Sequence, residues 1–198
     1  MPEVLVMASK RDPHPLIDAL ERAVEAAGGD VIETTPDILS KITGKDNPQA
    51  VAGAFAEWDT SLDRIDRDAA PIWLVAQGLI LIDDCADPFG VEAVRASMGA
   101  IFTQNLARAR WEDFLPWLRQ GQGQLVAASL REAVPYRGAP YASPCFVMVG
   151  NESQGLPEAY ETACDLRVTM PMRGRADSLN AAVAAAVLAY EVLASFEG

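Results

Sequence analysis

Histidine occurs once in this chain of 198 residues, as His14, with no partner motif beside it. It reads as a surface residue at a helix start rather than as an acid–base group. Cysteine occurs three times, at Cys85, Cys145 and Cys164. An odd number without metal-ligand spacing excludes a disulfide framework and a cysteine metal centre; reduced thiols in a cytoplasmic protein are expected, and no metal. Basic residues are scarce: 16 Lys plus Arg stand against 28 Asp plus Glu, for a net charge of −12. That balance argues against a protein that grips nucleic acid by bulk charge; a nucleic-acid enzyme of this composition needs a local basic patch or help from a second subunit. No apolar run has the length of a membrane span, since residues 72–82 are too few and include Gln77. The start, MPEVLVMASKR, carries Glu3 and no signal-peptide core. No G-x-G-x-x-G follows any expected strand, which makes a dinucleotide-binding enzyme a distant reading. There is no internal repeat.

Half of the residues are apolar, enough for a sizeable core. Residues 3–8 read as a strand. Asp12-Pro13 reads as cap and first position of a helix to about Ala27, with Leu16, Leu20, Ala23 and Ala27 at helical spacing and Gly28-Gly29 as the stop. A strand at 30–34, a short helix opened by Thr35-Pro36-Asp37, a loop at 44–48 and a strand at 49–55 complete a βαβαβ pattern over residues 1–58. Residues 59–70, with Asp59, Asp63, Asp66 and Asp68, read as a polar linker. A second domain is expected over 71–198.

The stretch PIWLVAQGLILIDD at 71–84 is the difficulty. Its strand formers run too long for one strand, since strands average about five to six residues. It reads as two strands joined at Gln77-Gly78. Parallel neighbours need a crossover of about a dozen residues, and none is present. The expected outcomes are one long strand bent at Gly78 or a lost strand. Further on, a helix at 90–98 carries Arg95, a helix at 111–119 bends at Pro116, a strand fills 124–128, and 131–143 is a loop.

The chain is organised around residues 146–190. Residues 146–149 are an apolar strand closed by Gly150; 151–155 form a glycine-bounded polar loop, and Pro157 stands at or near the first position of a helix. Residues 166–170 are a second strand stopped by Pro171. A loop with Arg173, Gly174 and Arg175 follows, and Asp177 or Ser178 can cap the last helix. Two such junctions gather backbone N–H groups and polar side chains at the carboxyl edge of a parallel sheet, where α/β proteins bind ligands.

The order GNE-x-x-GLP, D-x-x-V-x-x-PM-x-G, SLN-x-x-VAAA resembles the SpoU/TrmH-type RNA ribose 2′-O-methyltransferases of the SPOUT superfamily. The likeness extends back through VRASMGAIF at 94–102 and KDNPQAV at 45–51. The resemblance implies an α/β fold, a SPOUT-type parallel sheet with a C-terminal trefoil knot, preceded by a small L30e-like RNA-contacting domain that looks truncated at its start. It implies S-adenosyl-L-methionine as cofactor, rRNA or tRNA as substrate, and a homodimer. It assigns Glu152, Ser178 and Asn180 to catalysis. Val149, Gly150, Asn151, Gly155, Leu156, Met170, Pro171, Met172, Ser178 and Leu179 hold the cofactor. Lys10, Arg11, Arg95, Arg173 and Arg175 are candidates for RNA contact. The bland readings stand beside these: Glu152 as a helix-start acid favoured by the dipole, Ser178 as a cap, the arginines as solvated loop residues. The family's first motif, Asn-x-Gly followed by an arginine, is absent where 76–79 join the two strands. The gap is either an internal deletion or a segment missing from the sequence, so a catalytically inactive cofactor- or RNA-binding relic is the alternative to an enzyme. The last helix is apolar nearly all round, with Leu179, Val183, Val187 and Tyr190 on one side and Ala181, Leu188 and Val192 opposite. Such a helix needs cover on both sides, which fits a dimer.

Overall fold

The computed structural model describes residues 1–75, 80–83, 85, 87–151, 154–172 and 178–197. They fall into two units, Met1–Trp58 and Asp59–Gly198.

The first unit contains β1 (Val4–Ala8), α1 (Pro15–Ala26), β2 (Asp30–Thr34), α2 (Pro36–Thr43) and β3 (Val51–Ala54). β1 is central, parallel to β2 and antiparallel to β3. The period-2 pattern of β1 turns Leu5 and Met7 inward, onto Val24, Ile17 and Leu20 of α1. The expected cap at Asp12-Pro13 is corrected by two residues. His14 caps α1, its Nδ1 accepting from Leu16 N, and Pro15 takes the first helical position. Proline fits there because its missing N–H would have no helical partner anyway. Thr35 caps α2 and Gly44 ends it at φ 64°, a left-handed position suited to glycine.

The second unit begins earlier than expected. Residues 59–70 are not a linker: they form two short 3₁₀ turns, Leu62–Arg64 and Arg67–Ala69, and Ile65 joins the core. Arg67 donates to the carbonyls of Trp117 (2.6 Å) and Leu118 (2.9 Å), satisfying helix-end acceptors, and its own carbonyl accepts from Trp73 Nε1.

Next come β4 (Ile72–Val75), β5 (Ile80–Ile82), α3 (Val91–Ala96), β6 (Ala107–Ala109), α4 (Trp111–Arg119), β7 (Gln124–Ala128), β8 (Val134–Pro135), β9 (Cys145–Met148), α5 (Glu158–Ala163), β10 (Leu166–Thr169) and α6 (Ala181–Glu197). The seven strands form one sheet, ordered β6-β5-β4-β9-β7-β10-β8, and every pairing in it is parallel. β9 is buried on both faces. Phe146 and Met148 face an aromatic layer with Trp73, Phe114 and Leu118, while Cys145 and Val147 face Val168, Ala184, Leu188 and Val192 on α6. Continuous apolar burial of this kind is how central parallel strands read in sequence.

Neither outcome expected for 71–84 occurs. β4 and β5 are separate strands lying side by side, joined through Val75↔Ile80 alone, so β5 starts beside the point where β4 ends. Two parallel neighbours can dispense with a crossover helix only when offset in this way, because the chain never has to return to the start of the sheet. Gln77 and Gly78 lie outside the described residues. Among the described residues no helix is long and apolar enough to cross a membrane.

Candidate functional site

Three adjacent strands, β9, β7 and β10, end at the same edge of the sheet. The segments that leave them enclose a cleft of about 320 Å³. From β7 come Ala128, Ser129, Leu130 and Arg131; from β9, Val149, Gly150, Asn151 and Gly155; from β10, Thr169, Met170, Ser178 and Leu179. A site at the carboxyl edge of parallel strands is the α/β arrangement anticipated from sequence.

The β9 loop is pinched shut by its glycines. Gly155 N donates to Asn151 O at 2.8 Å, and the two residues form an isolated bridge. A Cβ on Gly150 would lie 2.3 Å from Gly155 C and 2.5 Å from Leu156 N, so only glycine lets the two arms approach. Gly155 has φ 69°, again a glycine conformation. Pro157 is the N-cap of α5, adjoining the first helical position, Glu158. Asn180, rather than Ser178, caps α6, its Oδ1 accepting from Ala182 N and Val183 N; Asp177, the other expected cap, lies outside the described residues.

Of the expected cofactor residues, Val149, Gly150, Asn151, Gly155, Leu156, Met170, Ser178 and Leu179 line the cleft; Pro171 and Met172 are not among its lining. Of the expected catalytic residues, Ser178 lines it, Asn180 caps α6, and Glu152 lies outside the described residues, as do Arg173 and Arg175. Arg95 is exposed on α3, near the exposed Met98 and Phe102. In the first unit Lys10 is exposed, whereas Arg11 is largely buried and paired with Glu21 (3.4 Å) and Glu33 (3.6 Å).

Sequence reasoning missed Ser129, Arg131 and Glu161. Glu161 is only 6% exposed, and its Oε1 accepts from Ser129 Oγ at 2.6 Å. No local pattern in the sequence marks it, because its contact with Ser129 spans 32 residues. The neighbouring residue of the same helix, Tyr160, is stacked on Trp111 with centroids 4.0 Å apart and hydrogen-bonded to Asp83. Desolvation first, and then the bond to Asp83, push the Tyr160 phenol up to about 12. Among the described residues no cluster of His, Cys, Asp and Glu is arranged to hold a metal.

Comparison with known proteins matches this architecture. Residues 73–190 match the model of the SpoU rRNA Methylase family. The chain is 33% identical over 191 residues to the 23S rRNA (uridine(2479)-2′-O)-methyltransferase of Streptomyces viridochromogenes, covering 82% of this chain and 66% of that protein. It is 31% identical over 114 residues to the 23S rRNA (guanosine(2553)-2′-O)-methyltransferase RlmP of Bacillus subtilis, covering 58% of this chain and 46% of that one. The chain thus spans about half to two thirds of the length of these curated relatives. Among solved structures, an AdoMet-bound rRNA methyltransferase from Sinorhizobium meliloti superposes with a TM-score of 0.85 at 32% identity, covering 96% of this chain and 78% of that one. A parallel sheet whose three neighbouring loops close on one cleft, with a family match over most of the second unit, shows that the chain belongs to the SpoU rRNA methylase family.

Proposed function

We propose that the chain is an S-adenosyl-L-methionine-dependent RNA ribose 2′-O-methyltransferase acting on rRNA or tRNA in the cytoplasm. The observation that carries this reading is the cleft itself, where eight residues anticipated as cofactor contacts come together. Its residues suit the cofactor. Val149, Leu156, Val168, Met170 and Leu179 offer apolar walls for a flat base, and the turns at Gly150 and Gly155 leave backbone groups unobstructed by side chains. The cofactor, when bound, supplies an electrophilic methyl group on its sulfonium. The chain's own task is to hold a ribose hydroxyl in line with it, which depends on positioning more than on charge. Ser178 at the rim, together with Glu152 and Asn180, is assigned to that positioning.

The finer parts of the fold belong to the same reading. A C-terminal trefoil knot is supported by β10 pairing on both sides with strands that precede it, β7 and β8. A small L30e-like domain is supported by the three-stranded first unit. A homodimer through α6 is supported by the side of that helix left exposed at Val183 and Tyr190.

A second reading, a relic that binds cofactor or RNA without methylating, is favoured by one observation. Val75 and Ile80 pair directly, so four residues link β4 to β5 and no segment there carries the family's Asn-x-Gly…Arg motif. The test is transfer of labelled methyl to RNA by two proteins: the chain itself and a version with a family-type Asn-x-Gly…Arg segment inserted after Gln77. The enzyme reading with a lost motif predicts weak transfer by the first and strong transfer by the second, abolished by Asn180→Ala. Binding without transfer in both supports the relic.

A further inference from the structure

The cleft has one feature that the cofactor walls do not use. Glu161 is more than nine-tenths buried and projects to the cleft lining from α5, the only carboxylate among the described lining residues. Its Oε1 accepts from Ser129 Oγ at 2.6 Å, and its Oε2 lies 3.5 Å from Arg131 Nη1. Ser129 Oγ accepts in turn from Arg131 N at 3.0 Å. Because a carboxylate oxygen can only accept, the Ser129 hydroxyl gives its proton to Glu161 while its oxygen accepts the backbone N–H. The result is a closed ring: Arg131 backbone to Ser129, Ser129 to Glu161, Glu161 to the Arg131 side chain. Ser129 N is also fixed, donating to Val168 O at 3.0 Å.

A buried carboxylate is costly unless its charge is matched and its lone pairs are used. Here it holds one arginine at the mouth of the cleft. The Arg131 side chain is 62% exposed, and its guanidinium is ion-paired with Glu161. An arginine carries five N–H donors in a rigid fork, so most face outward. Arg131 is the sole cation among the described lining residues, in a chain of net charge −12.

We propose that Arg131, positioned by Ser129 and Glu161, is the anion receptor at the mouth of the cleft. Its ligand is an oxyanion carried by a molecule that enters there: the carboxylate of the cofactor's amino-acid tail or a phosphate of the RNA. Both match the bidentate guanidinium fork. The inference rests on the cofactor reading above.

Titration of the full chain and its R131Q, R131K and E161Q variants separates the two sources. The probes are S-adenosylhomocysteine, 5′-methylthioadenosine (which lacks the amino-acid tail) and an rRNA fragment at several salt concentrations. If the carboxylate is received, R131Q weakens S-adenosylhomocysteine about tenfold, the scale of a lost hydrogen bond to a charged group, while 5′-methylthioadenosine is unchanged. If phosphate is received, both small ligands are unchanged and the salt slope of RNA binding falls by about one. In either case R131K keeps part of the affinity. E161Q, which keeps the Ser129 contact and loses the ion pair, shows a smaller loss on the same probe at unchanged thermal stability. Wild-type binding with R131Q unchanged toward all three probes overturns the inference while leaving the cofactor reading intact. A wild-type chain that binds none of them overturns both.

Discussion

At the scale of single residues, the site depends on a glycine and the core holds its thiols protonated. Gly150 has no room for a methyl group: the nearest atoms are backbone, at 2.3–2.6 Å, and cannot rotate aside. Gly150→Ala therefore forces the two arms of the β9 loop apart. The expected cost is about 1–3 kcal/mol, as for overpacking elsewhere, together with loss of ligand-induced stabilisation; thermal melts with and without S-adenosylhomocysteine read both. Cys145, between the sheet and α6, is pushed by burial from 9.0 up to about 12. The unfolded thiol ionises near 9 while the folded one keeps its proton, so the folded state binds more protons in that window. Stability is whole below about pH 9 and falls as the pH rises toward 12, by at most about 1.4 kcal/mol per pH unit from this group. Urea midpoints measured from about pH 8 to about pH 11 in the wild type and in Cys145→Ala check this; equal slopes contradict it.

At the scale of elements, α6 is the clearest case of a helix with an open side. Ala184, Leu188 and Val192 are buried against the sheet, while Val183 is 49% and Tyr190 79% exposed. A charge on the open side leaves the fold intact and removes the surface proposed to pair. Val183→Asp and Tyr190→Asp should sediment as monomers where the parent chain is a dimer; a parent that is monomeric over a wide concentration range contradicts the dimer. The same element shows what the sequence can and cannot convey. Its length and all-round apolarity are visible in the residues, as are the alternation of β1 and the glycine stops after α1 and α2, because each is a local pattern. The shift of the α1 cap from Asp12 to His14 is a choice between two capable caps two residues apart, each followed by proline. β8, only two residues long and containing Pro135, has no pattern of its own; it exists because β10 offers it an edge. Residues 59–70 looked like a linker because their aspartates are exposed, yet Ile65 and Arg67 anchor them to α4. The Ser129–Glu161 contact joins residues 32 apart through the fold and leaves no mark in the sequence. The cleft residues of β9 and β10 were legible because a motif marks them; those of β7 were not.

At the scale of the whole molecule, an acidic chain meets a polyanionic substrate, so recognition falls to local features rather than to net charge. The cleft supplies apolar walls, turns narrowed by glycine and, among the described residues, one cation at its mouth. The central claim is that this cleft holds S-adenosyl-L-methionine. Thermal unfolding of the 198-residue chain with and without S-adenosylhomocysteine tests it most directly. At about one hundred times the dissociation constant, binding to the folded state adds about 2.7 kcal/mol. For a chain of this size that raises the melting temperature by about 5–10 °C, and Gly150→Ala should abolish the rise. An unchanged melting temperature at millimolar ligand would contradict the account.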